Sequence, residues 1–323
     1  KGLIRFMYFG GYTLKSIAFI DTEVNEHGRI ADLGAVKDDD SRFHDSNINA
    51  FMDFIKSERY ICGHNIIRHD LVYLKQHFDE AGYRCEIIDT LFLSPLLFPA
   101  KPYHQLVKDE KLQPTDLNNP FSDSVKVKEL FWDIVSAFNR LDEPLKHILY
   151  ALLHHQKEFE PFFRFLGYNP HILDARRLML LISDRFKMHL CQNADLDGIL
   201  SDHPIELAYC LTLINVNHRF SIMPRWVLKS YPYVERVFYL LRSNPCLKGC
   251  AYCDEALDIY KALKGFFGYD SYRSYAGEPL QERSVQAAVD NKSLLAIFPT
   301  GGGKSLAFQI PALMSGNHVK GLT

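Results

Sequence analysis

Ser16-Ile-Ala-Phe-Ile-Asp-Thr-Glu23 decides how the front of this chain is read. Four apolar residues followed by Asp-Thr-Glu describe a buried strand that carries acids at its end. Residues two apart on a strand project from the same face, so Asp21 and Glu23 point the same way. Outward from this strand, Asn25–Gly28 reads as a turn and Ile30–Val36 as a second strand. Asn49–Ile55 is a short amphipathic helix, Tyr60–Cys62 a strand, Leu71–Phe78 a helix and Glu86–Thr90 strand-like. Ser122 can cap a helix whose apolar face is Val125, Leu130, Phe131, Ile134 and Phe138. Early strands alternating with helices predict an α/β fold. Residues 136–240 read as largely helical, interrupted by a strand-like Lys187–Leu190.

Four acids fall at strand ends and helix starts: Asp21, Glu23, Asp70 after the Gly63-His-Asn65 turn, and Asp123. Hard cations take oxygen ligands, and two of them about 4 Å apart clamp the attacking and leaving oxygens of a phosphodiester. A pair of Mg²⁺ or Mn²⁺ ions is therefore the chemistry these acids suit.

Phe19-Ile-Asp-Thr-Glu23, Cys62-Gly-His-Asn-Ile-Ile-Arg-His-Asp-Leu71 and Phe121-Ser-Asp-Ser124 resemble the three motifs of DnaQ-like (DEDD) 3′–5′ exonucleases. The resemblance spans residues 15–135. It implies an RNase H-like fold, Asp21, Glu23, Asp70 and Asp123 as metal ligands, and Asn65 as a nearby site residue. Asp89 recurs near a strand end in such proteins and reads here as structural. The family usually places a general base five (His) or four (Tyr) residues before the last Asp. Asn118 and Asn119 stand there, and neither accepts a proton near pH 7. His69, His104 or metal-bound hydroxide are the substitutes. The rival expectation is a module that grips nucleic-acid ends without turnover.

The back of the chain carries Phe298-Pro-Thr-Gly-Gly-Gly-Lys-Ser305, between apolar Leu294–Phe298 and helix-like Leu306–Ile310. That pattern predicts strand, phosphate loop, helix. Backbone N–H groups wrap phosphates, Lys304 reaches the terminal phosphates, and Ser305 holds Mg²⁺. With Leu263-Lys-Gly-Phe-Phe-Gly-Tyr-Asp-Ser-Tyr-Arg273 and Pro279-Leu-Gln281, it resembles the opening of RecQ-family ATP-dependent DNA helicases. The resemblance implies the start of a RecA-like domain that binds ATP with Mg²⁺. Arg273 and Gln281 would recognise adenine, and Thr300, Gly301, Gly303, Lys304 and Ser305 would hold the phosphates and metal. The Arg273–Gln281 spacing is longer than the family's usual three residues. The loop lies so near Thr323 that the chain is expected to be the front of a longer protein, without a complete ATPase.

Cys246, Cys250 and Cys253 have C-x3-C-x2-C spacing on a Pro/Gly turn, which predicts a shared metal, Zn²⁺ or a [4Fe–4S] cluster. For the fourth ligand Cys191, before a polar turn, is preferred to Cys210, which sits in an apolar helix. Cys62 and Cys85 read as core.

These readings give three domains: an exonuclease domain at 1–135, a mainly helical connecting region with the cysteine knuckle at 136–255, and a truncated helicase ATPase domain at 256–323. The 323 residues, 47% hydrophobic and 24% charged, can bury ample core. Net charge is −2, so a DNA partner is inferred from sites and not from overall charge. DNA ends or forks and ATP are the expected partners, with RNA left open. No apolar run approaches the ~20 residues that cross a bilayer, so no membrane partner is expected. Seven cysteines, an odd number, beside a nucleotide loop favour a reducing, intracellular setting, cytoplasmic or nucleoid-associated. The first residue, Lys1, leaves room for an upstream segment.

Overall fold

The computed structural model describes residues 16–101, 103, 104, 106, 119–216, 222–242, 249–290 and 292–319, with side chains to 314. Its elements are β1 (Ile17–Val24), β2 (Ile30–Lys37), β3 (Arg42–Asp45), α1 (Ile48–Ile55), β4 (Tyr60–Gly63), α2 (Asp70–Glu80), β5 (Glu86–Asp89), α3 (Thr90–Leu97) and α4 (Pro120–Arg140). Then follow α5 (Glu143–Leu153), α6 (Glu160–Leu166), α7 (Ala175–Arg185), α8 (Leu196–Asp202), α9 (Pro204–Asn215), α10 (Arg225–Ser230), α11 (Val234–Arg242), α12 (Ala251–Ala256), α13 (Ile259–Phe267), α14 (Leu280–Val289) and α15 (Lys304–Val319). The chain is mixed α/β and forms two compact units. Among the described residues, the first holds those within 16–97, 104–141 and 154–170, and the second holds the others.

In the first unit, five strands form one sheet in the order β3-β2-β1-β4-β5. β1, β2 and β3 pair antiparallel, whereas β4 and β5 run parallel to β1. Strand alternation sorts β1 into two faces. Ala18 and Ile20 join Leu33, Ala35, Phe51, Ile55, Leu74 and Phe78 in a core under α1 and α2. Phe19 points the other way, its ring 5.5 Å from Phe131 of α4, which in turn meets Phe165 of α6 at 4.9 Å. Asp21 and Glu23 share the face of Phe19 and so look towards α4.

α4 begins where Asn119 caps it, its side-chain oxygen accepting the Ser122 N–H at 3.0 Å. The expected cap, Ser122, lies inside the helix. Its buried face carries Val127, Phe131, Ile134 and Phe138, while Val125 and Leu130 are only half-buried. Lys128 pins α4 to the β2–β3 turn, donating to the carbonyls of Lys37 (2.8 Å) and Asp38 (2.9 Å) and to Asp40 (2.8 Å).

The first turn of α4 lies directly on β2 at Gly34. A methyl group there would sit 2.1 Å from the Pro120 carbonyl carbon and 2.2 Å from the Phe121 nitrogen. Gly34 is also the residue paired with Asp21 across the β1–β2 ladder. Only a residue without a side chain lets the helix start approach so closely.

The second unit is helical, as expected for the region after residue 136. Leu207–Ile214 of α9 is buried on every side, and α5, α8 and α11 pack around it. Two expected strands are absent. Lys187–Leu190 is a turn. Leu294–Phe298 has no ladder partner among the described residues, and Leu295 and Ile297 stay 86% and 81% exposed. An apolar run becomes a strand only where a neighbour takes up its backbone groups. No helix among the described residues is long and apolar enough to cross a membrane.

Gly34→Ala should therefore destabilise the first unit by at least about 1–3 kcal/mol, the usual cost of overpacking. Gly265→Ala, in α13 where an added methyl meets nothing within 4 Å, should stabilise the second unit by about 0.5–1 kcal/mol. Urea unfolding reports both, with Trp132 as the probe in a Trp226→Phe background and Trp226 as the probe in a Trp132→Phe background. Equal, small effects at the two glycines would contradict the packing described here.

Candidate functional site

Three constellations predicted from sequence can be located. In the first, ligand oxygens of Asp21, Glu23 and Asp123 all lie within 4.8 Å of one another. β1 supplies two of them from one face, and the close approach at Gly34 delivers Asp123 from the first turn of α4. Glu23 stands at an irregularity in the ladder to β2, where strands re-aim side chains. Asp70, the first residue of α2, reaches the same strand from its end. One carboxylate oxygen accepts both the backbone N–H and the hydroxyl of Thr22, each at 2.8 Å. Asp70 is thus fastened to the residue between Asp21 and Glu23. The other oxygen lies 3.9 Å from His69 Nδ1.

The electrostatics follow from this crowding. The Asp21 carboxyl is pushed up to about 8, first by burial and then by the charges of Asp70, Asp123 and Glu23. At the edge Lys126 lies 3.6 Å from Asp123, and hydrogen bonding to Asp70 raises the pKa of His69. Three carboxylates with their oxygens this close together form an all-oxygen donor set of the kind that suits hard divalent cations.

Asn65 contributes through its backbone. It sits at φ +65°, a left-handed conformation that Asn tolerates well. Its N–H donates to Asp89 at 2.8 Å, and its carbonyl accepts from the N–H groups of Arg68 and His69. Asp89 also accepts from Ile67 and Leu91, so it clasps the turn that presents His69 and Asp70. Burial still pushes Asp89 up to about 6 against these three bonds. Of the substitute bases considered, His69 is beside the carboxylates, whereas His104 is buried with its Nδ1 2.8 Å from the Ser94 hydroxyl. Asn119 is a helix cap, and Asn118 lies outside the described residues. Sequence reading missed Thr22, Gly34 and Lys126. A glycine inside an apolar strand is itself a signal of close backbone approach, and it could have found Gly34.

The second constellation is the phosphate loop. Gly301 and Gly303 hold φ of +75° and +66°, and α15 starts at Lys304, so the loop meets a helix N-terminus. Thr300, Lys304 and Ser305 are exposed. Gln281 is 1% exposed and fully engaged. Its side-chain oxygen accepts the Arg273 N–H at 2.9 Å, and its amide donates to the Gly303 carbonyl at 2.9 Å. The Arg273 guanidinium donates to the Gly301 carbonyl at 3.2 Å, and the Tyr275 hydroxyl to that of Gly302. The long Arg273–Gln281 spacing is absorbed by a turn closed by paired Tyr275 and Glu278 backbones, with Ala276 and Gly277 at positive φ. Both residues expected at adenine therefore buttress the loop itself. An adenine contact by Gln281 would require it to exchange partners.

The third constellation is the cysteines. Cys191, Cys250 and Cys253 are buried with their sulfurs within 4.8 Å of one another. Cys246 lies outside the described residues. Cys210 is elsewhere, buried in α9 with its thiol towards the Val234 carbonyl. Cys62 is buried and Cys85 half-buried in the first unit, as expected.

Comparison with known proteins finds relatives of part of the chain. The chain is similar to RecQ-type DNA helicases. It is 38% identical to the ATP-dependent DNA helicase Q5 of Rattus norvegicus over 71 residues, 22% of this chain and 6% of that protein. It is 45% identical to the ATP-dependent DNA helicase RecQ of Haemophilus influenzae over 51 residues, 16% of this chain and 7% of that one. The corresponding protein of Synechocystis sp. is 38% identical over 56 residues, 17% and 11% of the two chains. This chain thus spans 6–11% of the length of these relatives. No protein-family profile matches it. No solved structure matches it either.

His64, next to the Asn65 turn, provides a pH signature. Burial depresses it to about 4, below the usual 6.5, while its Nδ1 sits 2.9 Å from the Thr90 hydroxyl. Its contribution to stability is complete above pH 6.5 and is lost as pH falls towards 4. The loss amounts to about 2–3 kcal/mol. His64→Gln should remove that part of the acid sensitivity, measured as urea midpoints between pH 7 and 4. An unchanged slope would show that His64 does not carry it.

Proposed function

We propose that the first unit is a divalent-metal-dependent 3′–5′ exonuclease of RNase H-like fold, joined to the opening of a RecQ-type helicase ATPase. The observation that carries the first half is the convergence of Asp21, Glu23 and Asp123, with Asp70 fastened to Thr22 between them. The sheet order, with antiparallel β1–β3 and parallel β4 and β5, supports the same reading. The similarity to RecQ helicases supports the second half. In this reading residues 1–135 form the exonuclease domain, 136–255 a connecting region, and 256–323 the start of a RecA-like domain.

The donor set fits two Mg²⁺ or Mn²⁺ ions, because it is all oxygen and its carboxylates converge. Bound there, they would neutralise the phosphodiester and lower the pKa of water. The chain's own groups do the positioning. Thr22 holds Asp70 in place, Gly34 admits α4, and the Asp89 clasp orients His69 and Asp70. Hydrolysis would add water to the terminal phosphorus, break its bond to the preceding 3′ oxygen, and release a nucleoside 5′-monophosphate. At the other end, backbone N–H groups of the loop at Thr300, Gly301 and Gly303, with Lys304 and Ser305, would hold ATP with Mg²⁺. Gln281 and Arg273 support that loop, and Gln281 would meet the base only by exchanging its present partners. DNA with a free 3′ end is the proposed substrate.

5′-labelled DNA and RNA, single-stranded and duplex, incubated in Mg²⁺ or Mn²⁺ test the first half. Nucleotide-by-nucleotide shortening is expected, abolished by EDTA and reduced about 10²–10³-fold or more in Asp21→Ala, as loss of several kcal/mol of metal stabilisation requires. Tight binding without shortening would favour a module that grips ends, and Asn119, committed to capping α4, is the observation on that side.

Lys304→Ala should weaken binding of a fluorescent ATP analogue about 10–100-fold, the range of one hydrogen bond to a charged group. Equal affinity in the variant would remove the nucleotide from this loop.

A further inference from the structure

We propose that Cys191, Cys250 and Cys253 hold a single Zn²⁺ ion as thiolates, in a site that locks the second unit and stands independently of the exonuclease reading. Their distances carry this. The Cys191 and Cys253 sulfurs are 3.5 Å apart, and all three lie within 4.8 Å of one another. Ligands at about 2.3 Å from a tetrahedral ion are separated by roughly 3.8 Å, so the sulfurs already occupy positions around one metal. In a [4Fe–4S] cluster each cysteine binds a different iron, which spreads the sulfurs beyond what one ion requires. The compact triangle therefore selects a mononuclear site over a cluster. It also selects Cys191 over Cys210.

Local structure explains how distant segments meet. Cys250 immediately precedes α12 and Cys253 lies one turn on, so the two sulfurs share a side. Cys191 comes from a turn that reverses the chain, closed by the Ala194 N–H on the Cys191 carbonyl at 3.1 Å. The Cys191 N–H donates to the Leu241 carbonyl at 2.9 Å, which fixes this turn to the end of α11. The Asn193 N–H points at the Cys191 sulfur from 3.4 Å, an outer contact that favours the thiolate. Tyr252, Ala256 and Leu257 pack around the sulfurs and exclude water. The Tyr252 hydroxyl donates to the Arg242 carbonyl at 2.9 Å, so the same knot also ties α12 to α11. Each thiol releases its proton to solvent on binding. A site this dry, made of soft ligands from segments about sixty residues apart, is a structural staple. Three thiolates leave one tetrahedral position for a further donor.

The test is elemental analysis of the 323-residue chain, purified without a histidine tag. About one zinc per chain is expected, with iron and copper at background and no visible absorbance. Cys191→Ser and Cys253→Ser should lose the zinc, whereas Cys210→Ser and Cys85→Ser should keep it. Zinc retained in Cys191→Ser, iron with visible absorbance, or no metal at all would each overturn the site. Because the serine variants could fail to fold, wild-type protein stripped of metal is also titrated with Co²⁺. Thiolate-to-cobalt charge transfer and tetrahedral visible bands are expected, and their absence would equally overturn it.

Discussion

The first unit depends on one close approach, that of the Pro120–Phe121 backbone to Gly34. Because Gly34 pairs with Asp21 across the ladder, the contact that seats α4 on the sheet also sets the distance between Asp21 and Asp123. Packing and chemistry are the same event here. The aromatic cluster of Phe19, Phe131 and Phe165, packed tilted and edge-to-face, supplies the apolar surface that holds the helix down, and Lys128 fixes its position along the β2–β3 turn. The cost falls on Asp21, which is half-buried among like charges.

The second unit solves a different problem. Its loop of glycines has little side-chain mass of its own, and its shape comes from neighbours. Gln281, Arg273 and Tyr275 reach in and take up the carbonyls of Gly301, Gly302 and Gly303. A small core of Ile259, Leu263, Val285, Ile310 and Met314 joins the three helices around it. The loop is thereby held open at the start of α15, although the apolar run before it has no strand partner among the described residues.

Much of this was legible in order of residues. The strand at Ile17, the turn at Asn25 and the buried helix around Cys210 follow from local pattern, because periodicity and turn chemistry act over a few residues. The boundaries of α4 were less legible. Asn119 and Ser122 are both good caps, and which one acts depends on how the first turn must lie against β2. Lys187–Leu190 and Leu294–Phe298 show the limit of pattern from the other side. Their composition suits strands, but a strand exists only through a neighbour that the local sequence does not contain.

The sequence by itself determined the chemistry available: four acids at strand ends and helix starts, a glycine-rich loop ending in Lys-Ser, and clustered cysteines. Only the tertiary structure decided which of these groups meet. It fastened Asp70 to Thr22, chose Cys191 over Cys210 as the neighbour of Cys250 and Cys253, and turned Gln281 and Arg273 towards the loop. The reason is physical. Residue type sets what a group can bind, whereas the distance between groups remote in sequence is set by burial and backbone pairing of the whole fold.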